Sequence, residues 1–159
     1  MTQYTVLVAD KPLNEADYTG FDYISVRELK KLYPISDDFP EQAWHSMEDD
    51  VEILNAPDED AFAKLNIFHW ENPSYDLALY SEKPYVYGVE GRWEGEFLEN
   101  LLTYIREQLT PDQNAELLQF WAGEDKPPKL TKQTIAINEI QHTDLQNFAQ
   151  KQFAHVQFV

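Results

Sequence analysis

The stretch WEGEFLENLLTYIREQLTPDQNAELLQFWAG, residues 93–123, decides how the rest of this chain is read. Trp93, Phe97, Leu98, Leu101, Leu102, Ile105 and Leu109 recur at three- and four-residue steps, which places them on one stripe of a helix. Thr110-Pro-Asp-Gln113 then has the form of a second helix start: a capping threonine, proline at the first helical position and glutamine at the third. Continued through Leu117, Leu118 and Trp121 to a stop at Gly123, this predicts a helical hairpin.

On the N-terminal side, Leu65–Trp70, Tyr75–Tyr80 and Pro84–Val89 are strand-like runs separated by Asn72-Pro73-Ser74 and Ser81-Glu-Lys83. Turns this short predict an antiparallel meander, with His69 on a buried central strand. Tyr4–Ala9 is β-branched and apolar and reads as an opening strand. Phe21–Ile24 and Val51–Leu54 read as short strands. Ser25 with Glu28 caps a helix that Pro34 ends, and Pro40–Met47 reads as another short helix.

Past Pro127-Pro128 the composition changes. Leu130–Ile140 reads as a strand, Thr143 with Gln146 starts a helix, and Ala154–Val159 alternates as a closing strand. The fold class predicted is α+β: a mainly antiparallel sheet, mixed if the last two strands pair in parallel. A helical hairpin packs on one face, and a strand–helix–strand unit closes the chain. A length of 159 residues favours one domain spanning 1–159.

The charge is the outlier. Twenty-nine Asp and Glu oppose 12 Lys and Arg, a net charge of -17, against a magnitude of about 2–8 for an ordinary small domain. Such a surface repels phosphate backbones and anionic lipid, so neither nucleic acid nor membrane is an expected partner. A basic protein is. The charge is also uneven: residues 32–63 hold ten acids and no Lys or Arg, whereas residues 126–159 carry four Lys and two acids. Without cysteine the chain has no disulfide, thiolate nucleophile or Cys-ligated metal, and the cytoplasm is the expected compartment.

Candidate chemistry is sparse. Glu41, His45 and Glu48 would share a helix face and offer a metal or base site, but the spacing matches no catalytic zinc motif and reads better as a solvated acidic face. Glu48-Asp49-Asp50 and Asp58-Glu59-Asp60 lack the calcium-loop pattern. His69 suits a hydrogen-bonded core better than a catalytic base, and His142 and His155 show no ligand spacing. Gly88, Gly91 and Gly95 lack a phosphate-loop order and read as a turn needing positive φ. No catalytic residue, metal or cofactor is therefore predicted.

The function predicted is an acidic protein-binding module, of the kind that an inhibitor or immunity protein forms with a basic partner. Its surface would comprise Asp37, Asp38, Glu48, Asp49, Asp50, Asp58, Glu59 and Asp60, bordered by Tyr75 and Tyr80. Two alternatives stand beside it. One is a small-ligand protein or enzyme using His69 or His45 with nearby carboxylates. The other is a self-associating protein whose basic tail meets the acidic segment of a second copy.

Overall fold

A strand covered on both faces is apolar at every position, and Val6-Leu-Val-Ala9 is such a run. In the computed structural model, which describes residues 1–159, it belongs to β1 (Thr2–Ala9), and all four of these side chains are fully buried. The remaining strands are β2 (Ala16–Asp17), β3 (Asp22–Ser25), β4 (Glu52–Asn55), β5 (Asn66–His69), β6 (Tyr85–Glu90), β7 (Glu116–Ala122), β8 (Gln133–Ile135) and β9 (Ala154–Phe158). Three helices accompany them: α1 (Val26–Leu32), α2 (Glu96–Gln108) and α3 (His142–Ala149). The chain forms two compact units, residues 1–18 with 63–159 and residues 19–62.

The larger unit holds a seven-stranded sheet in the order β2-β5-β6-β1-β7-β9-β8. Every pairing is antiparallel except β8 with β9, so the sheet is mixed and the architecture is α+β. Period-two alternation gives each strand two destinations. Leu7, Ala9, Leu117 and Val156 join Phe97, Leu101, Ile105, Leu145 and Phe148 of α2 and α3 in the main core. Val6, Val8, Leu118 and Phe120 point the other way, into a smaller core with Leu77 and Val86, flanked by Tyr4, Trp70, Tyr80, Leu130 and Phe153.

The helical hairpin is corrected. Its first arm is α2, but residues 116–122 form β7, paired with β1 over seven residues. The capping box of Thr110 and Gln113 is real, yet it serves one 3₁₀ turn over Pro111–Gln113, which Asn114 ends at φ 49. Glu116–Phe120 is buried at every position, so it lacks the period of two, and its leucines mimic helical spacing. The middle run of the expected meander is likewise a 3₁₀ turn, Tyr75–Leu79. Leu77 and Tyr80 turn inward three residues apart while Tyr75 stands exposed, which suits three residues per turn and not two. The closing strand–helix–strand is β8, α3 and β9, with the last two strands parallel.

Gly91 shows why the connection into α2 needs glycine. Its φ is 134°, and a Cβ there would lie 2.4 Å from the buried Phe97 ring and 2.7 Å from the Lys64 carbonyl. No helix is long and apolar enough to cross a membrane.

The smaller unit pairs β3 with β4 and places α1 directly after β3. Ser25 accepts the Glu28 N–H and caps that helix, as the sequence predicts.

Candidate functional site

The acids singled out from sequence occupy the smaller unit. Residues 19–62 hold twelve Asp and Glu against three Lys and Arg, a net charge of -9 with histidine neutral. Asp37, Asp38, Glu48, Asp50, Asp58, Glu59 and Asp60 are all exposed and none forms an ion pair. Asp49 differs: its carboxylate takes Lys30 Nζ at 2.8 Å and lies 3.8 Å from Arg27, while its carbonyl accepts the Arg27 N–H. The Lys30 bond also holds its pKa below the usual carboxylate range. Asp49 ties α1 to the turn before β4 and is a structural anchor.

This unit also exposes apolar surface. Tyr23 and Leu54 are directly opposed on β3 and β4, at 64% and 42% exposure, so one face of the two-stranded sheet is open. Leu32, Tyr33, Ile35, Met47, Val51 and Phe62 are exposed as well. Eight of the chain's thirteen exposed large apolar residues thus fall in the unit with the densest charge. Tyr75 and Tyr80 are the aromatic residues expected from the sequence to border these acids. Both belong to the larger unit, where Tyr75 is exposed and Tyr80 packs on Phe120 at 5.2 Å.

The histidine candidates separate. Only Ala43–Ser46 is helical, as one 3₁₀ turn, so Glu41 and Glu48 lie outside it and share no face with His45. His45 Nδ1 accepts the Gln42 N–H at 2.8 Å, which requires Nε2 to donate to the Tyr33 carbonyl at 2.9 Å. With both nitrogens engaged and the ring stacked 3.8 Å from Trp44, His45 is a structural residue. His69 ends β5 beyond the two residues that β2 covers, and it is exposed rather than buried. No group of three His, Cys, Asp or Glu has metal-holding geometry.

A second polar site, which the sequence did not disclose, lies on the larger unit. Glu116, Leu118 and Phe120 share one face of β7, and His155 and Gln157 share the same face of β9. The register sets Glu116 opposite Gln157 and Leu118 opposite His155, so Glu116 and His155 are diagonal neighbours. His155 Nε2 lies 2.8 Å from Glu116 Oε2, and both side chains are under 10% exposed. Lys132, just before β8, donates to Glu116 Oε1 at 2.7 Å, and Lys83 Nζ stands 3.8 Å from the same oxygen. Lys83 also donates to Asp10 Oδ1 at 3.1 Å, and Asn114 Nδ2 donates to Asp10 Oδ2 at 2.7 Å.

Burial pushes the Glu116 carboxyl upward, but the bonds from His155 and Lys132 outweigh it and hold its pKa below the ordinary value of 4.5. Asp10 is lowered too, by Asn114 first and Lys83 second. These groups floor a cleft of about 740 Å³ between residues 78–83 and 128–132, with Leu79, Leu130 and Lys129 on its walls. The missed signal is Glu116, the one acid of β7, which shares a face with Leu118 and Phe120 only once residues 116–122 are read as a strand.

No protein-family model, curated protein or solved structure matches this chain.

Proposed function

We propose that this protein is a docking module whose smaller unit presents an acidic surface with apolar anchors to a basic protein, as an inhibitor or immunity protein does. The observation that carries this reading is the coincidence of two properties in residues 19–62: a net charge of -9, and eight exposed large apolar side chains including the opposed pair Tyr23 and Leu54. Acidity alone suits solubility. Exposed apolar groups work against solubility and are retained where a partner covers them.

The roles divide by physics. Asp37, Asp38, Glu48, Asp50, Asp58, Glu59 and Asp60 steer a cationic partner and set the association rate. Tyr23, Leu54 and their apolar neighbours supply the contact energy, about 2 kcal/mol or more for a well-buried anchor. A cysteine-free chain suits the reducing cytoplasm as the compartment of that encounter. A second copy of the chain is a poorer partner, because each copy carries -17.

The test is affinity capture from the native lysate, followed by association kinetics with the captured protein at several salt concentrations. A variant with Glu48, Asp50, Asp58 and Asp60 changed to their amides should lower the association rate, and Tyr23→Ser with Leu54→Ser should raise the dissociation rate. An acidic captured partner, or an association rate indifferent to salt, overturns the proposal.

A further inference from the structure

We propose that the cleft over Glu116 and His155 is a binding site for a small oxyanion, a carboxylate or a phosphate, carried on a short, partly apolar body. The inference concerns the larger unit alone and stands or falls separately from docking through residues 19–62.

The first ground is charge placement. In a chain of net charge -17, three of the 12 Lys and Arg, Lys83, Lys129 and Lys132, line this one cleft and balance its three carboxylates, Asp10, Glu82 and Glu116. The second is the hydrogen-bond count. Each oxygen of Asp10 accepts one bond, from Lys83 and from Asn114, and each oxygen of Glu116 meets one partner, Lys132 or His155. The donors are not used up. Each lysine ammonium carries three N–H groups, yet Lys132 bonds one acceptor, Lys83 bonds one and stands 3.8 Å from a second, and Lys129 bonds none. Lys129 and Lys132 therefore keep unused N–H groups at the cleft, and an oxyanion accepts them through charge-assisted bonds.

The third ground is preorganisation. Glu116 is 4% exposed and Lys83 12%, so their positions are fixed by the sheet and the Asp10 contact before any ligand arrives. Glu116 acts as a positioning residue that holds Lys132 and His155 at the floor of the cleft. Glu82, next to Lys83 in the chain, also lines the cleft, and its carboxylate opposes an anion there, which favours a ligand small enough to sit against Lys129 and Lys132 on the wall formed by residues 128–132. Leu79, Leu130 and Pro128 give the body of the ligand an apolar wall. A volume of about 740 Å³ falls within the range of small-molecule sites, roughly 300–1,000 Å³.

The experiment follows the ring resonances of the four histidines by NMR at constant pH while sodium phosphate or sodium acetate is added to the full chain. Sodium chloride at matched ionic strength is the reference. The expected result is a saturable shift at His155 with at least one of the two probes, while His45, His69 and His142 stay with the chloride reference. Phosphate acting alone assigns the phosphate class, and acetate acting alone the carboxylate class. Lys129→Gln, which removes no contact to Glu116, should weaken binding roughly tenfold, the worth of one charge-assisted bond. Lys64→Gln, outside the cleft, should leave it unchanged. A His155 shift that chloride reproduces, or equal binding by Lys129→Gln and wild type, overturns the proposal.

Discussion

Replacing Glu116 by glutamine tests how the centre of the sheet is held together. Glutamine keeps the shape and a neutral hydrogen-bonding end, so the change isolates the charge. Three cationic or potentially cationic groups lose it: Lys132 at 2.7 Å, His155 at 2.8 Å and Lys83 at 3.8 Å. Removing one partner of a fully buried pair costs about 3–5 kcal/mol. Two features reduce that here. Lys132 is 42% exposed and can turn to water, and Lys83 keeps Asp10. Glutamine also retains neutral bonds, so a loss of about 2 kcal/mol is expected from two charge-assisted bonds reduced to ordinary ones. For a chain of this size that lowers Tm by roughly 4–8 °C.

The pH dependence makes the test specific. The folded pKa of Glu116 lies below its ordinary value of 4.5, so its ionised form stabilises the fold above that pH, and the contribution fades as pH falls through the lowered folded value. Urea unfolding of wild type and Glu116→Gln should differ by about 2 kcal/mol at pH 7, and the two should converge in strong acid. A difference that is absent at pH 7, or the same at both pH values, refutes the charge-based account.

Other substitutions probe the frame around these sites. Gly91→Ala should cost about 3 kcal/mol in urea unfolding, because left-handed strain adds to a collision with the Phe97 ring and the Lys64 carbonyl. Gly95→Ala also carries positive φ but meets nothing within 4 Å, so about 1 kcal/mol is expected; equal costs would contradict the geometry. Ser25→Ala removes the cap on the Glu28 N–H and should destabilise α1 by about 1 kcal/mol, seen as faster amide exchange over residues 26–32.

Legibility followed the local signals. The Ser25 cap, the apolar stripe of α2 and the alternation of β9 are written in neighbouring residues, and the structure has each of them. What local signals cannot separate is a strand buried on both faces from a helix, since both read as continuous apolar sequence. That ambiguity made β7 look helical and hid Glu116, whose meaning depends on His155, 39 residues later and one strand away. The acidic segment was plain in composition. Which of its acids are committed to structure was not, because the tie of Asp49 to Lys30 and Arg27 depends on tertiary placement. The exposure of Tyr23 and Leu54 likewise follows from their register across β3 and β4, which no single run reveals.

If residues 19–62 engage a basic protein through charge and apolar anchors together, as proposed, the salt dependence of the association rate shows it. With the captured partner, the rate should fall by at least tenfold between about 0.05 and 0.5 M salt. The dependence should be flatter once Glu48, Asp50, Asp58 and Asp60 are amides. A rate unchanged by salt, or an equal dependence in wild type and variant, contradicts the proposal.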